Sequence, residues 1–236
     1  MTLSLIKPPL LKLLQSVDTP TVCNAIEMAQ GARGFANFTR GTMVASAPTA
    51  AAIVGFARTA KIAAIAPPTE PTAVIRARRM DYYRHMSEGP RPAIAVVEDV
   101  DFPDCIGAYW GEINTTVHKG FGLSGAVTNS VVRDLGDLPD GFPVIAGSVG
   151  PSHGFVHVRD IACEVSIFGM RVNDGDLIHA DRHGALVIPA DVVDTLEAAI
   201  HKLLETEALV LVPARAPDFD FDKFELAWAA FEAART

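Results

Sequence analysis

Two kinds of apolar run are interleaved irregularly along this chain, and that irregularity restricts its fold more than any other feature. Ile94-Ala95-Val96-Val97, Gly125-Ala126-Val127 and Pro143-Val144-Ile145-Ala146 are short and lack polar alternation, the pattern of strands buried on both faces. Ala52 to Lys61 reads as a further strand, and Pro67-Pro68 and Pro71 break the pattern after it. Between Gly169 and Pro189 apolar stretches alternate with Asn173-Asp174-Gly175-Asp176 and Asp181-Arg182-His183-Gly184, which predict two tight turns separating antiparallel strands. Asp18-Thr19-Pro20 opens a helix that should run through Ala29, followed by a glycine-spaced loop from Gly31 to Gly41. A second helix is expected from Glu112 to Lys119. After Pro189, Asp191 is placed to cap a third, whose Val192, Val193, Leu196, Ile200, Leu203 and Leu204 share one face. Beyond Pro213 and Pro217, Phe224, Trp228 and Phe231 recur at helical spacing. Strands and helices are mixed and do not alternate strictly, which predicts a compact α/β sandwich in preference to a doubly wound nucleotide-binding sheet.

Composition narrows the partners. A chain of 236 residues with 49% hydrophobic content can close a sizeable core. Its net charge of -8 and lack of a basic run argue against nucleic acid. Cys23, Cys105 and Cys163 are odd in number and far apart, so neither a disulfide framework nor a CxxC zinc site is indicated, and a cytoplasmic setting suits them. The N-terminal MTLSLIKPPLLKLL lacks the order of a signal peptide. No apolar run approaches the roughly 20 residues that span a membrane.

The chemistry concentrates between Trp110 and Leu138, in WGEINTTVHKGFGLSGAVTNSVVRDLGDL. Arg133 can grip a carboxylate with two parallel hydrogen bonds, and Asp134 is a hard oxygen ligand suited to magnesium or manganese. Neighbours on a strand face opposite ways, so both serve one site only at a strand end or in a loop; Leu135-Gly136-Asp137 supplies such a break. Gly111 before Glu112 lets backbone amides approach an anion at a helix N-terminus. His153 and His157 are four apart, but Pro151 and Gly154 oppose a helix there, so they read as turn and loop histidines near the site. The GSVGPSHG run (147–154) lacks the Lys-Ser/Thr ending of a phosphate-binding loop. Cys23 reads as packing.

The spacing Glu112-X20-Arg133-Asp134 resembles the Asp-X20-Arg-Asp pattern of the RraA-like superfamily, which includes class II 4-hydroxy-4-methyl-2-oxoglutarate/4-carboxy-4-hydroxy-2-oxoadipate aldolases and regulators of RNase E activity. Further matches occur in the same order: Thr19-Pro20-Thr21-Val22 with Ala25, Val54-Gly55-Phe56-Ala57-Arg58-Thr59, Gly175-Asp176, Ala180-Asp181 and Gly184-Ala185-Leu186-Val187-Ile188-Pro189. The resemblance implies an α/β/α layered swivelling-domain fold with a mixed sheet, N-terminal helices and a C-terminal helical extension. On that reading 1–17 form an N-terminal arm, 18–204 the catalytic domain, and 205–236 an extension at a subunit interface of a homotrimer or homohexamer.

Carried over by position, Asp134 holds a divalent cation (Mg2+ or Mn2+), Glu112 orients its waters, and Arg133 binds the pyruvyl carboxylate and oxyanion. Gly111 and the backbone amides of Ile113 and Asn114 assist, and Glu205 or Glu207 of a neighbouring copy completes the shell. The implied activity is a metal-dependent carbon-carbon lyase acting on a small 2-oxo acid through a pyruvate enolate, with oxaloacetate decarboxylation as a side reaction. Its rivals are a non-catalytic regulator engaging a protein partner and an enzyme on a divergent oxo-acid or sugar-acid substrate. The chain departs from the aldolase pattern at Glu112, where aspartate is usual, at Asn129-Ser130 in place of Asp-Gly, and at Asp81-Tyr82-Tyr83, where aldolases carry an Asp-Asn pair that touches substrate. Relatives are often labelled dimethylmenaquinone methyltransferase, yet no glycine-rich loop typical of methyl transfer is present.

Overall fold

A computed structural model describes residues 6–234, so the first five residues of the N-terminal arm and the last two of the C-terminal extension lie outside the described residues. The chain forms two compact units: residues 6–20 with 36–190, and residues 21–35 with 191–234. Among the described residues no helix is long and apolar enough to cross a membrane.

The larger unit begins with α1 (Pro8–Ser16), which buries Leu10 and Leu14, and the start of α2 (Thr19–Gln30). Then follow β1 (Val44–Ala45), β2 (Ile53–Ala63), α3 (Thr72–Ser87), β3 (Ala93–Asp99), α4 (Glu112–Gly120), β4 (Leu123–Thr128), β5 (Val131–Val132), β6 (Val144–Ala146) and β7 (Ser148–Val149). The remaining strands are β8 (His157–Ile161), β9 (Val165–Ile167), β10 (Met170–Val172), β11 (Leu177–Asp181) and β12 (Gly184–Ile188). Its main sheet runs β1-β6-β4-β3-β2-β11-β12, with β8 also paired to β2. The centre is parallel, β2 to β3 to β4 to β6, while β1, β8, β11 and β12 join antiparallel. This mixed sheet with helices is the α/β class expected.

Strand β3 shows why its sequence is apolar throughout. Ala93, Ala95 and Val97 point into a cluster with Tyr82, Met86, Trp110 and Phe142, whereas Ile94 and Val96 point into another with Ile167, Met170 and Val172. Side chains alternate across a strand, so burial on both faces demands an apolar residue at every position. The first cluster is covered by α3 and α4, and the second by the hairpin of β9 and β10.

One local expectation is corrected here. Of the two acid-glycine turns, only Asp181 to Gly184 joins a hairpin, β11 to β12; the turn at Asn173 to Asp176 leads from β10 into β11, which pair with different partners. The reason is that Asp174 is recruited away: it accepts from the Thr59 amide at 2.9 Å and pairs with Arg58 at 2.9 Å and His85 at 3.0 Å. The first amide of α2, at Thr19, donates to Asp181 at 2.9 Å, so a residue far along the chain caps this helix.

In the smaller unit, α5 (Val193–Ala214) and α6 (Phe221–Ala234) are joined by a short break. Helix α5 starts at Val193 without a side-chain cap, so Asp191 does not play that part, and Asp194 supplies the first-turn acid that complements the helix dipole. The helix also runs uninterrupted across the expected boundary at 204 and 205 and takes in Pro213 near its end, where few amides beyond it need an acceptor. Along α6, Phe221, Phe224, Trp228 and Phe231 form a ladder with ring centroids 6.0, 5.6 and 5.2 Å apart.

His118 of α4 is fully buried among Trp110, Tyr82 and Phe142. Its Nδ1 lies 2.6 Å from the Asn114 carbonyl and its Nε2 2.7 Å from the Tyr82 hydroxyl. Burial pushes its pKa down to about 4. The unfolded chain therefore takes up a proton near pH 6.5 that the folded chain refuses until about 4, so stability is full above 6.5 and falls as the pH drops through that window. We expect a loss of about 2 kcal/mol between pH 7 and 5 from this residue. Urea unfolding across that range checks it: the slope should flatten in His118→Gln. His179, whose pKa burial also lowers, adds to the wild-type slope with the same sign.

Candidate functional site

The Arg133-Asp134 pair sits where β5 ends. Trp110 bridges Val132, and the Arg133 amide donates to the Trp110 carbonyl at 2.9 Å, which holds the end of β5 against the segment opening α4. The chain then turns at Asp134, whose φ of 57° is left-handed. That conformation costs a non-glycine residue about 1 kcal/mol and is best tolerated by aspartate and asparagine. The Asp137 amide closes the turn on the Asp134 carbonyl at 2.9 Å. This is the break the sequence required for both side chains to serve one place.

Asp134 Oδ2 accepts from the Glu112 amide at 3.2 Å and stands 3.5 Å from Arg133 Nη1. It thus caps α4, whose N-cap residue, Gly111, has no side chain to do so. A Cβ on Gly111 would lie 2.5 Å from Asp134 Oδ2 and 2.9 Å from Arg133 Nε. The glycine is therefore needed here for space. Glu112 is exposed in the first turn of α4, and Arg133 Nε is buried without a hydrogen-bond partner among the described residues.

A cleft of about 450 Å³ opens beside this turn, lined by Arg133, Ile113, Asn114, Tyr83, Arg79, His153 and His157 among others. The Asn114 side chain is occupied: its Oδ1 accepts from the Tyr83 hydroxyl at 2.7 Å and its Nδ2 donates to the Tyr109 carbonyl at 2.6 Å. What Ile113 and Asn114 offer a ligand is their backbone amides, which belong to the helical turn that lacks intrahelical acceptors. Of the three residues at the family's Asp-Asn position, only Tyr83 lines the cleft. Tyr82 is buried against His118, and Asp81 pairs with Arg84 at 2.8 Å on the exposed face of α3. His157 proves to be the first residue of β8 and is buried, so its place in a loop is corrected.

Asn129-Ser130 has a scaffold role. Asn129 exchanges hydrogen bonds with both backbone groups of Asp99, at 2.7 and 3.0 Å, and the Ser130 hydroxyl reaches the buried Asp99 carboxylate at 2.8 Å. The pair ties the ends of β3 and β4 together and fixes where β5 begins. Burial raises the Asp99 pKa and pushes the Cys105 thiol up to about 12. Glu205 and Glu207 lie on α5, where Glu207 lines a different cavity with Asn24, Glu27 and Arg33.

Among the described residues no three His, Cys, Asp or Glu side chains converge to hold a metal ion. Asp134, about one-third exposed, nevertheless offers the kind of hard oxygen magnesium takes, since that ion binds through one or two carboxylates and keeps several waters. Sequence reasoning, which placed Tyr83 at the family's substrate-touching position, did not foresee Arg79 in the cleft. Arg79 stands four residues before Tyr83 on α3, and that helical spacing is the signal that could have placed it on the same face.

Comparison with known proteins agrees with this fold. The sequence model of the RraA-like family (Aldolase/RraA) matches residues 19–187. An uncharacterized protein from Pseudomonas syringae pv. tomato is similar in structure, with 18% identity, a TM-score of 0.68 and 97% of each chain covered. RraAS2 from Streptomyces coelicolor, described as an unusual member of the RNase ES inhibitor RraA family, is similar at 20% identity and a TM-score of 0.64, over 87% of this chain and 98% of its own. Protein DlpA of Legionella pneumophila is 29% identical over 110 residues, 45% of this chain, and the match spans only 18% of that relative's length. The matched family segment contains Gly111, Glu112, Arg133 and Asp134, and the chain belongs to the RraA-like family.

Proposed function

We propose that this protein is a divalent-metal-dependent carbon-carbon lyase that cleaves a small 2-oxo acid through a pyruvate enolate, in the manner of a 4-hydroxy-4-methyl-2-oxoglutarate aldolase. One observation carries the reading: the missing Cβ of Gly111 lets the Asp134 carboxylate and the partly unpartnered Arg133 guanidinium share the N-terminal turn of α4 beside a cleft. A pure binding surface has no use for so confined a pairing of a hard ligand with an anion grip. Bound Mg2+ or Mn2+, held by Asp134, would supply Lewis acidity toward the carboxylate and 2-oxo oxygens of the substrate.

The chain's own residues supply the rest. Arg133 binds the pyruvyl carboxylate and stabilises the charge that develops on the 2-oxo oxygen. The Ile113 and Asn114 amides, at a helix N-terminus, favour the same anion. Glu112, exposed in the first turn of α4, orients water and passes a proton to C3 once the bond is broken. Because retro-aldol cleavage and oxaloacetate decarboxylation share this enolate, one site serves both.

The test is pyruvate release from oxaloacetate and from 4-hydroxy-4-methyl-2-oxoglutarate, with magnesium or manganese and again after EDTA. Release should depend on metal with both substrates. Asp134→Asn should lower it by about 100-fold and raise the metal concentration needed for half-maximal rate; full activity in that variant would exclude Asp134 as the metal ligand. We further propose a homotrimer or homohexamer in which Glu205 or Glu207 reaches a neighbour's site, in a cytoplasmic setting. Sedimentation and the activity of each Glu→Gln variant decide it.

A further inference from the structure

We infer that His157 is the general base of the retro-aldol step, accepting the proton of the substrate's C4 hydroxyl through Nε2; this rests on the lyase reading above. The imidazole Nδ1 lies 2.8 Å from the Phe155 carbonyl. A carbonyl only accepts, so Nδ1 carries the hydrogen and Nε2 is left with a lone pair. His157 is 4% exposed and Nε2 has no hydrogen-bond partner among the described residues. A buried acceptor left unmatched costs about 1–3 kcal/mol, which a donor brought by a ligand would recover.

The position suits such a donor. His157 lines the same cleft as Arg133 and the first turn of α4, and no carboxylate among the described residues lines that cleft. With the pyruvyl end held at Arg133, the remainder of the substrate extends along the cleft, and its C4 hydroxyl is the proton donor for Nε2 once the side chains covering that buried atom shift to admit it. The O–H proton moves to Nε2 as the C4–O double bond forms. The C3–C4 bond breaks, and its electrons pass into the C2–C3 bond of the pyruvate enolate. A proton delivered at C3 through the Glu112 relay completes pyruvate, and Nε2 returns its proton to water, so none is gained or lost. Oxaloacetate has no hydroxyl to deprotonate; its carboxylate leaves as CO2, and this step needs no base.

That difference gives the test. Both reactions are measured with magnesium for the wild type, His157→Asn, which keeps a donor near the Nδ1 position, and His157→Gln, which keeps a polar atom near Nε2 without its basicity. We expect retro-aldol kcat to fall by about 100-fold or more, with oxaloacetate decarboxylation kept within a few-fold, which also certifies the fold. Equal losses in both reactions, or no loss in either, would overturn the assignment while leaving the lyase reading intact. The same holds if exposed His153, replaced by Gln, separates the two reactions and His157 does not. A wild type that releases no pyruvate from either substrate removes the lyase reading and the base together.

Discussion

Arg133→Ala is expected to lower kcat/KM for pyruvate release by about 1000-fold with either substrate, the size found when a preorganised oxyanion donor is removed. Stability should change little. Arg133 Nε has no partner to lose among the described residues, and the contact of Nη1 with Asp134 at 3.5 Å joins groups that are each about one-third exposed, at 32% and 31%. Such a pair contributes little to folding. Activity and stability therefore separate here, which would not hold for a residue of the core. Arg133→Lys keeps the charge but loses the planar fork, so it should recover only part of the rate. Steady-state kinetics alongside thermal unfolding decides the matter: a rate near wild type in Arg133→Ala would remove the residue from the site, and a large fall in melting temperature would make it structural.

The legibility of this molecule in its sequence followed the range of the interactions concerned. The central strands could be read because burial on both faces leaves no polar position in Ile94 to Val97, and the helix at Glu112 because glycine and acid mark its start. Arg133 and Asp134 were legible as a pair, since adjacent residues can share a site only at a break and a break followed them. The caps were not. Asp181 caps α2 across more than 160 positions of sequence, and Asp134 caps α4 in place of the residue preceding it. Nothing local to either helix encodes these partners. The same holds for Asp174, whose recruitment by Arg58, His85 and the Thr59 amide turned an expected hairpin into a passage between sheets. His157 could be placed near the site from its glycine-rich surroundings, but its buried, unpartnered nitrogen depends on how β8 packs against β2.

Those long-range caps bear on function, because the residue capping α4 is also the proposed metal ligand. Gly111→Ala tests that coupling. Its backbone, at φ -130° and ψ -173°, is extended and open to alanine, so the substitution strains no torsion. The added Cβ would stand 2.5 Å from Asp134 Oδ2 and 2.9 Å from Arg133 Nε, closer than such atoms approach. Both neighbours are atoms of partly exposed side chains, at 31% and 32%, so they can shift and the fold will survive. The expected stability cost is about 1 kcal/mol, the size of a weakened helix cap. Activity should suffer far more, because displacing catalytic groups by about 1 Å costs about 100-fold. Gly111→Ser separates the two causes. Serine can cap the helix itself and should restore stability, yet its Cβ meets the same atoms, so the rate should stay low. If serine restored activity as well, the glycine would matter only for capping, and the crowding of Arg133 and Asp134 around it would have no part in the chemistry.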